Sequence, residues 1–228
     1  MGLVQSFKYI IRSKYLWLMV VCSTAFYSSM NFVEMLWKAK TREMYTSVES
    51  YTHFNSMCIV WTGVVIMILS VFGKILMQRF GWKNMIMLSP IVMSVSGLLF
   101  FLTAIFQKTE GPEYFAISAL HLSVVIGAIQ NILAKGVKYS IWDTSREMLY
   151  IPLDHEMKTK GKAAADLVGA KLGKSCSSFL PVILLTCSNV ASYISIAPVM
   201  MWFFIIVCIL WFIGIHFLSK EYYIKLKA

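Results

Sequence analysis

Six apolar runs follow one another along the chain, at about 15–36, 55–77, 84–106, 114–134, 163–187 and 195–219. Each is close to the roughly twenty residues that a helix needs to cross the hydrocarbon of a bilayer. No water reaches backbone groups there, so a spanning run of this length folds as helix. The 228 residues are 58% hydrophobic and 14% charged, with a mean hydropathy of +0.69, a balance that excludes an ordinary soluble domain. The expected fold class is all-α integral membrane, a single six-helix domain over residues 1–228. A basic lead carrying Lys8, Arg12 and Lys14 precedes the first run, and no small-residue cleavage site follows it. It therefore reads as a first membrane helix and not a removable signal.

The first run is polar for a span, with Ser23, Thr24, Tyr27, Ser28, Asn31 and Glu34. Such a helix suits lipid poorly on all sides, so one face is expected to line a wet interior. A charged link with Lys38, Lys40, Arg42, Glu43, Glu49 and His53 comes next, and the connector at 78–83 turns the chain tightly. Gly111-Pro112 marks another turn. Six spans place both ends on one side. With the N-terminus inside, that side collects 17 of the 21 Lys and Arg residues and the other side four. The bias predicts cytoplasmic termini and a cytoplasmic basic loop over 135–162. Most of the net charge of +10 is expected to reflect this topology, and no nucleic-acid partner is implied.

Residues 135–175 form the one long stretch that is not mostly apolar, holding eight of the 21 basic residues and five of the 11 acids. Lys135 and Lys138 precede Tyr139, Trp142 and Tyr150. Lysines neutralise polyphosphate through charge-assisted bonds, and aromatic rings stack on purines. An interfacial segment, rings at headgroup depth and lysines toward anionic lipid, fits this composition equally. Glu34 and Lys38 are four apart and share a helix face, as do Lys162 and Asp166. A carboxylate near a span needs a partner or a wet cavity. Gly169 and Gly173 make the spacing that lets two helix backbones approach. Lys171 and Lys174 lie far enough into their span to contact a substrate phosphate or an acidic partner. The run Gly169-Ala170-Lys171-Leu172-Gly173-Lys174-Ser175 fails as a P-loop, having three residues between its glycines and no strand before it. Five cysteines in or beside apolar runs, without metal spacing, read as buried thiols. No cofactor, metal site or catalytic site is expected. His121, His216 and His155 read as ordinary polar groups.

Several runs carry a family resemblance. They are Lys138-Tyr139-Ser140-Ile141-Trp142-Asp143, Glu147-Met148-Leu149-Tyr150-Ile151-Pro152-Leu153-Asp154 and Lys160-Gly161-Lys162-Ala163-Ala164-Ala165-Asp166. With Asn31-Phe32-Val33-Glu34-Met35-Leu36-Trp37-Lys38, Arg79-Phe80-Gly81-Trp82 and Gln130-Asn131 before Lys135, they resemble the ATP/ADP translocase family of plastids and obligate intracellular bacteria. The order of the motifs resembles the C-terminal half of such a translocase, without the N-terminal half. The resemblance implies the C-terminal bundle of a major-facilitator-like transporter in a bacterial inner membrane. It implies ATP:ADP antiport by alternating access, with a missing six-helix half or a second copy as partner. A non-transporting remnant, or a homo-oligomeric carrier of another nucleotide, is the alternative. The residues expected to contact substrate or gate its path are Glu34, Lys38, Lys135, Lys138, Asp166, Lys171 and Lys174.

Overall fold

The computed structural model describes residues 13–106, 113–154, 157–188 and 193–227, and no strand occurs among them. Lys8, Arg12, Lys108, Gly111-Pro112 and His155 lie outside the described residues. The elements are α1 (Lys14–Met44), α2 (Val48–Phe106), α3 (Glu113–Val137), a π-helical turn (Lys138–Trp142), α4 (Asp143–Met148), a second π-helical turn (Met157–Gly161), α5 (Lys162–Ser188) and α6 (Ala197–Lys227). Among the described residues, five helices are long and apolar enough to cross a membrane.

Helix α1 starts where the Ser13 hydroxyl accepts the Leu16 N–H, a side-chain cap on an otherwise unpaired donor. It runs on to Met44, past the expected end near 36. Lys38, Lys40, Arg42 and Glu43 favour helix, so nothing in the supposed link stops it. Helix α2 begins at Val48, and the link shrinks to residues 45–47.

Helix α2 holds 59 residues, which if straight would measure about 90 Å, three times the hydrocarbon thickness. It is not straight. Gly81 adopts φ 75°, ψ 164°, a conformation open essentially to glycine alone. Contacts with α3 show the consequence. Along the first leg, Val65 packs on Gly136 and the Ile66 carbonyl accepts the Ser140 hydroxyl at 3.2 Å. Cys58 lies lower, beside Ala128 and Ile132. Along the second leg the order inverts: Trp82 donates to the Ser145 carbonyl at 2.9 Å, Met93 meets Gln130, and Phe100 meets Gly127. The two legs run in opposite directions and reverse at Gly81.

Helix α1 is the centre of the bundle. It runs against α3, from Tyr15 Oη donating to the Leu149 carbonyl at 2.7 Å to Trp37 Nε1 donating to the Val124 carbonyl at 3.0 Å. It also runs against α6, from Lys14 paired with Glu221 to Ser29 beside Cys208. It runs alongside α5, with Thr24 donating to the Gly169 carbonyl, Ser28 to the Gly173 carbonyl at 3.0 Å and Asn31 to Ser177 at 2.8 Å. Among the described residues, successive long helical legs thus alternate in direction. Phe26 of α1 stacks flat on Trp142 at 4.9 Å, and Trp211 of α6 closes on both rings edge-on. A second apolar cluster around Phe32, Trp37, Phe101 and Phe204 fills the other end. The outer surface is apolar as well: Trp61, Ile68, Val95, Trp202, Ile209 and Phe217 are all exposed.

Three expectations change. The polar face of α1 lines less water than its composition suggests, because Ser23, Thr24, Ser28 and Asn31 are used against α5. A Cβ at Gly169 would come within 2.6 Å of the Ser23 Cβ, and one at Gly173 within 2.7 Å of the Thr24 carbonyl oxygen. These glycines serve packing. The stretch over 135–162 is not a free loop: helix continues from Glu113 through Met148, and Trp142, Leu149 and Tyr150 are buried. Trp142 must stay helical to reach Phe26. Finally, Cys22 and Cys208 are buried, whereas Cys176 and Cys187 are exposed on α5.

Candidate functional site

Tyr27, Met30, Asn31, Glu34 and Lys38 of α1 recur at helical spacing and form one stripe. Lys135 and Lys138, three apart, face that stripe from the end of α3 and the π-helical turn. Ala170 and Lys174 of α5 face it from the other side. Between them lies an open cavity of about 320 Å³ lined by Tyr27, Met30, Asn31, Glu34, Lys135, Lys138, Tyr139, Ala170 and Lys174. Tyr27 and Glu34 lie near the middle of α1, so the cavity opens midway along the bundle.

Its charges are unequal: three ammonium groups face one carboxylate. Glu34 is bracketed by Lys38 at 3.0 Å on its own helix and Lys135 at 3.9 Å across from α3. Lys138 rests 3.6 Å over the centre of the Tyr139 ring and pairs with Asp143 at 3.4 Å. Lys174 stands 5.8 Å from the centre of the Tyr27 ring. Aromatic faces hold cations in place without neutralising them. The arrangement can therefore take an anion with several oxygens.

Of the seven residues expected, Glu34, Lys135, Lys138 and Lys174 line this cavity and Lys38 reaches it through Glu34. Asp166 and Lys171 do not line it. Lys171 is exposed on α5. Asp166 belongs to a network joined to the cavity through Asp143, the partner of Lys138: Arg146 reaches Asp143 at 3.5 Å and Asp166 at 3.6 Å, and Tyr150 donates to Asp166 at 2.7 Å. Lys162 closes it by pairing with Glu147. Burial, and then the facing Asp166 carboxylate, push the Tyr150 phenol well above its ordinary value, so it remains a donor. This network ties the turn after α4 to the start of α5.

Sequence reasoning did not select Tyr27 or Tyr139 as cavity walls. The first was visible as part of the helical stripe through Glu34. The second was one of three rings in the central stretch, and only burial separates them: Tyr139 is 52% exposed, while Trp142 and Tyr150 are buried.

The ADP,ATP carrier protein 5 of Rickettsia bellii (strain RML369-C) is 48% identical to this chain over 225 residues, which is 97% of the chain and 45% of the carrier. The protein of the same name from Rickettsia felis gives the same identity and coverage. The ADP,ATP carrier protein 3 of Rickettsia prowazekii is 36% identical over 222 residues, 97% of the chain and 44% of that carrier. The chain thus spans less than half the length of these relatives. No solved structure matches it. The sequence profile of the TLC ATP/ADP transporter family matches residues 1–222, nearly the whole chain, and the chain belongs to that family.

Proposed function

We propose that this chain is the C-terminal half of a nucleotide translocase that exchanges ATP for ADP by alternating access. The observation that carries this reading is the cavity where Lys135, Lys138 and Lys174 converge opposite Glu34. A triphosphate brings about four negative charges, and charge-assisted bonds to lysine are strong in a partly desolvated site. The relatives' names, ADP,ATP carrier protein, point to the same substrate class.

The ion pairs suggest how binding couples to movement. Glu34 on α1 is linked to Lys135 on α3. An incoming phosphate competes for Lys135, loosens that link and draws α3 and α5 onto itself. Release of phosphate restores it. A ligand that binds the two arrangements unequally shifts the balance between them. No hydrolysis is involved, and the nucleotide gradients supply the energy.

The alternating helices support six membrane crossings, with α2 supplying two. Lys14, Lys74, Arg79, Lys83, Arg146, Lys162, Lys220 and Lys225 then gather at one end, and Lys38, Lys40 and Arg42 at the other. That asymmetry supports cytoplasmic termini, and the Rickettsia relatives support a bacterial inner membrane. A six-helix partner, either the N-terminal half or a second copy, would close the cavity on its open side.

Uptake of labelled ATP tests the reading. Cells express this chain alone, or with an N-terminal six-helix half, with and without ADP inside. Uptake that needs the partner, rises with internal ADP and falls about tenfold in Lys138→Ala is the expected result. Uptake by the chain alone would point to a second copy as partner. No uptake in either case, with insertion confirmed, would overturn the proposal.

A further inference from the structure

A second cavity, of about 560 Å³, lies on the other side of Tyr139, between the first leg of α2 and the turn into α4. Tyr139 lines both cavities. The π-helical turn explains how: its wide turn buries Ser140, Ile141 and Trp142 while leaving Tyr139 exposed. Such turns are found disproportionately at functional positions. Lys138 covers one face of the Tyr139 ring at 3.6 Å. Tyr139 is 52% exposed, which leaves ring surface for a stacking partner.

The chemistry of the two cavities differs. The first has three lysines, whereas the second has a single lysine, Lys74, at its edge, together with hydroxyls, an amide and two methionines. Most of those hydroxyls are already engaged. Ser140 Oγ lies 3.2 Å from the Ile66 carbonyl and 3.1 Å from Ser70 Oγ, and Thr144 donates to the Ser140 carbonyl at 3.1 Å. Gln78 is exposed at the cavity wall and presents a donor and an acceptor side by side. Adenine offers the complementary pair along its N6 and N7 edge. Met77 and Met148 add polarizable, deformable walls of the kind that lie well against a flat ring.

We propose that this second cavity is the nucleoside subsite: the purine stacks on the exposed Tyr139 ring, and Gln78 reads its adenine edge. The inference rests on the lysine cavity taking the phosphates. Lys138 then serves both parts, holding the ring from behind while its charge faces the polyphosphate. Base and phosphates lie on opposite sides of one side-chain pair, so a single nucleotide spans both cavities.

Binding to the purified chain in lipid nanodiscs separates the two parts. Dissociation constants are measured for ATP, GTP and inorganic tripolyphosphate, which has the phosphates and no base. ATP is expected to bind more tightly than tripolyphosphate. Tyr139→Ala is expected to weaken ATP about tenfold more than it weakens tripolyphosphate, whose smaller loss reports the Lys138 contact with the ring, and retained tripolyphosphate binding shows that the variant is folded. Tyr139→Phe keeps the stacking face and should keep ATP affinity. Gln78→Ala should reduce the preference for ATP over GTP about tenfold. Equal losses for ATP and tripolyphosphate in Tyr139→Ala, or no loss for either, would overturn the subsite. If tripolyphosphate binds and ATP binds no better, the subsite falls and the lysine cavity stands. If neither ligand binds, both readings fall together.

Discussion

Gly81 is the residue on which the reversal of α2 depends. A Cβ there would meet nothing within 4 Å, so the cost of Gly81→Ala is purely one of backbone conformation, about 1–3 kcal/mol. A lower melting temperature in detergent without loss of ligand affinity is the expected outcome; an unchanged melt would show that the turn adapts freely. Tyr150 is the second case. Its hydroxyl is buried and donates to Asp166, and a hydrogen bond to a charged group contributes about 1.5–3 kcal/mol. Tyr150→Phe should lower the melting temperature accordingly. The sign of the pH dependence follows from the raised phenol. The contribution is complete below the ordinary phenol value of 10.0 and is lost as pH rises above it, because the unfolded chain releases its proton first. Melts of wild type and Tyr150→Phe should therefore converge at high pH.

At the scale of elements, α1 is held differently on its two sides. Toward α5 it is held by close backbone approach. Gly173→Leu would drive a side chain into the Thr24 carbonyl and Tyr27, and overpacking of this kind costs about 1–3 kcal/mol or more. Loss of the monodisperse folded species on gel filtration is expected. Toward α3, α1 is held by the Trp37 hydrogen bond to Val124 and, at the cavity, by charge. Glu34→Gln removes the one carboxylate among the described residues that line the cavity, together with the link to Lys135. Tripolyphosphate should then bind several-fold more tightly, since it no longer competes with a carboxylate, while exchange slows because release is no longer assisted. A fall in tripolyphosphate affinity would contradict the competition mechanism.

For the whole molecule, the alternation of the long helical legs makes a topological prediction. In a cysteine-free chain, Ser47→Cys should react with a membrane-impermeant maleimide applied to intact cells. Lys83→Cys and Lys220→Cys should react only after permeabilisation. All three positions are exposed, so accessibility within the protein does not confound the result. Labelling of position 83 from the same side as position 47 would contradict the reversal of α2 within the membrane. The apolar outer surface, with Trp61, Phe72, Trp202 and Phe217 exposed, requires a lipid environment or a partner helix bundle around it.

Sequence alone determined the membrane class, the helical content and the charge asymmetry, because length and hydropathy of a run fix what it can do in a bilayer whatever surrounds it. It also placed Glu34 and Lys38 on one face, since helical spacing is a local property. Tertiary structure decided what each polar group faces. Ser28 resembled a cavity residue and proved to belong to a seam with α5, and Asn31 serves both that seam and the cavity, because the groups they meet on α5 are about 145 positions away. Asp166 and Lys174 share a helix, yet one closes an ion network with Arg146 and the other enters the cavity. Tyr139, Trp142 and Tyr150 are alike in sequence, and only the wide turn and the Phe26 ring separate the exposed ring from the buried ones. Spacing along one helix sets which side chains point together. What stands opposite them depends on how the helices pack, and that is set by contacts between residues far apart in the chain.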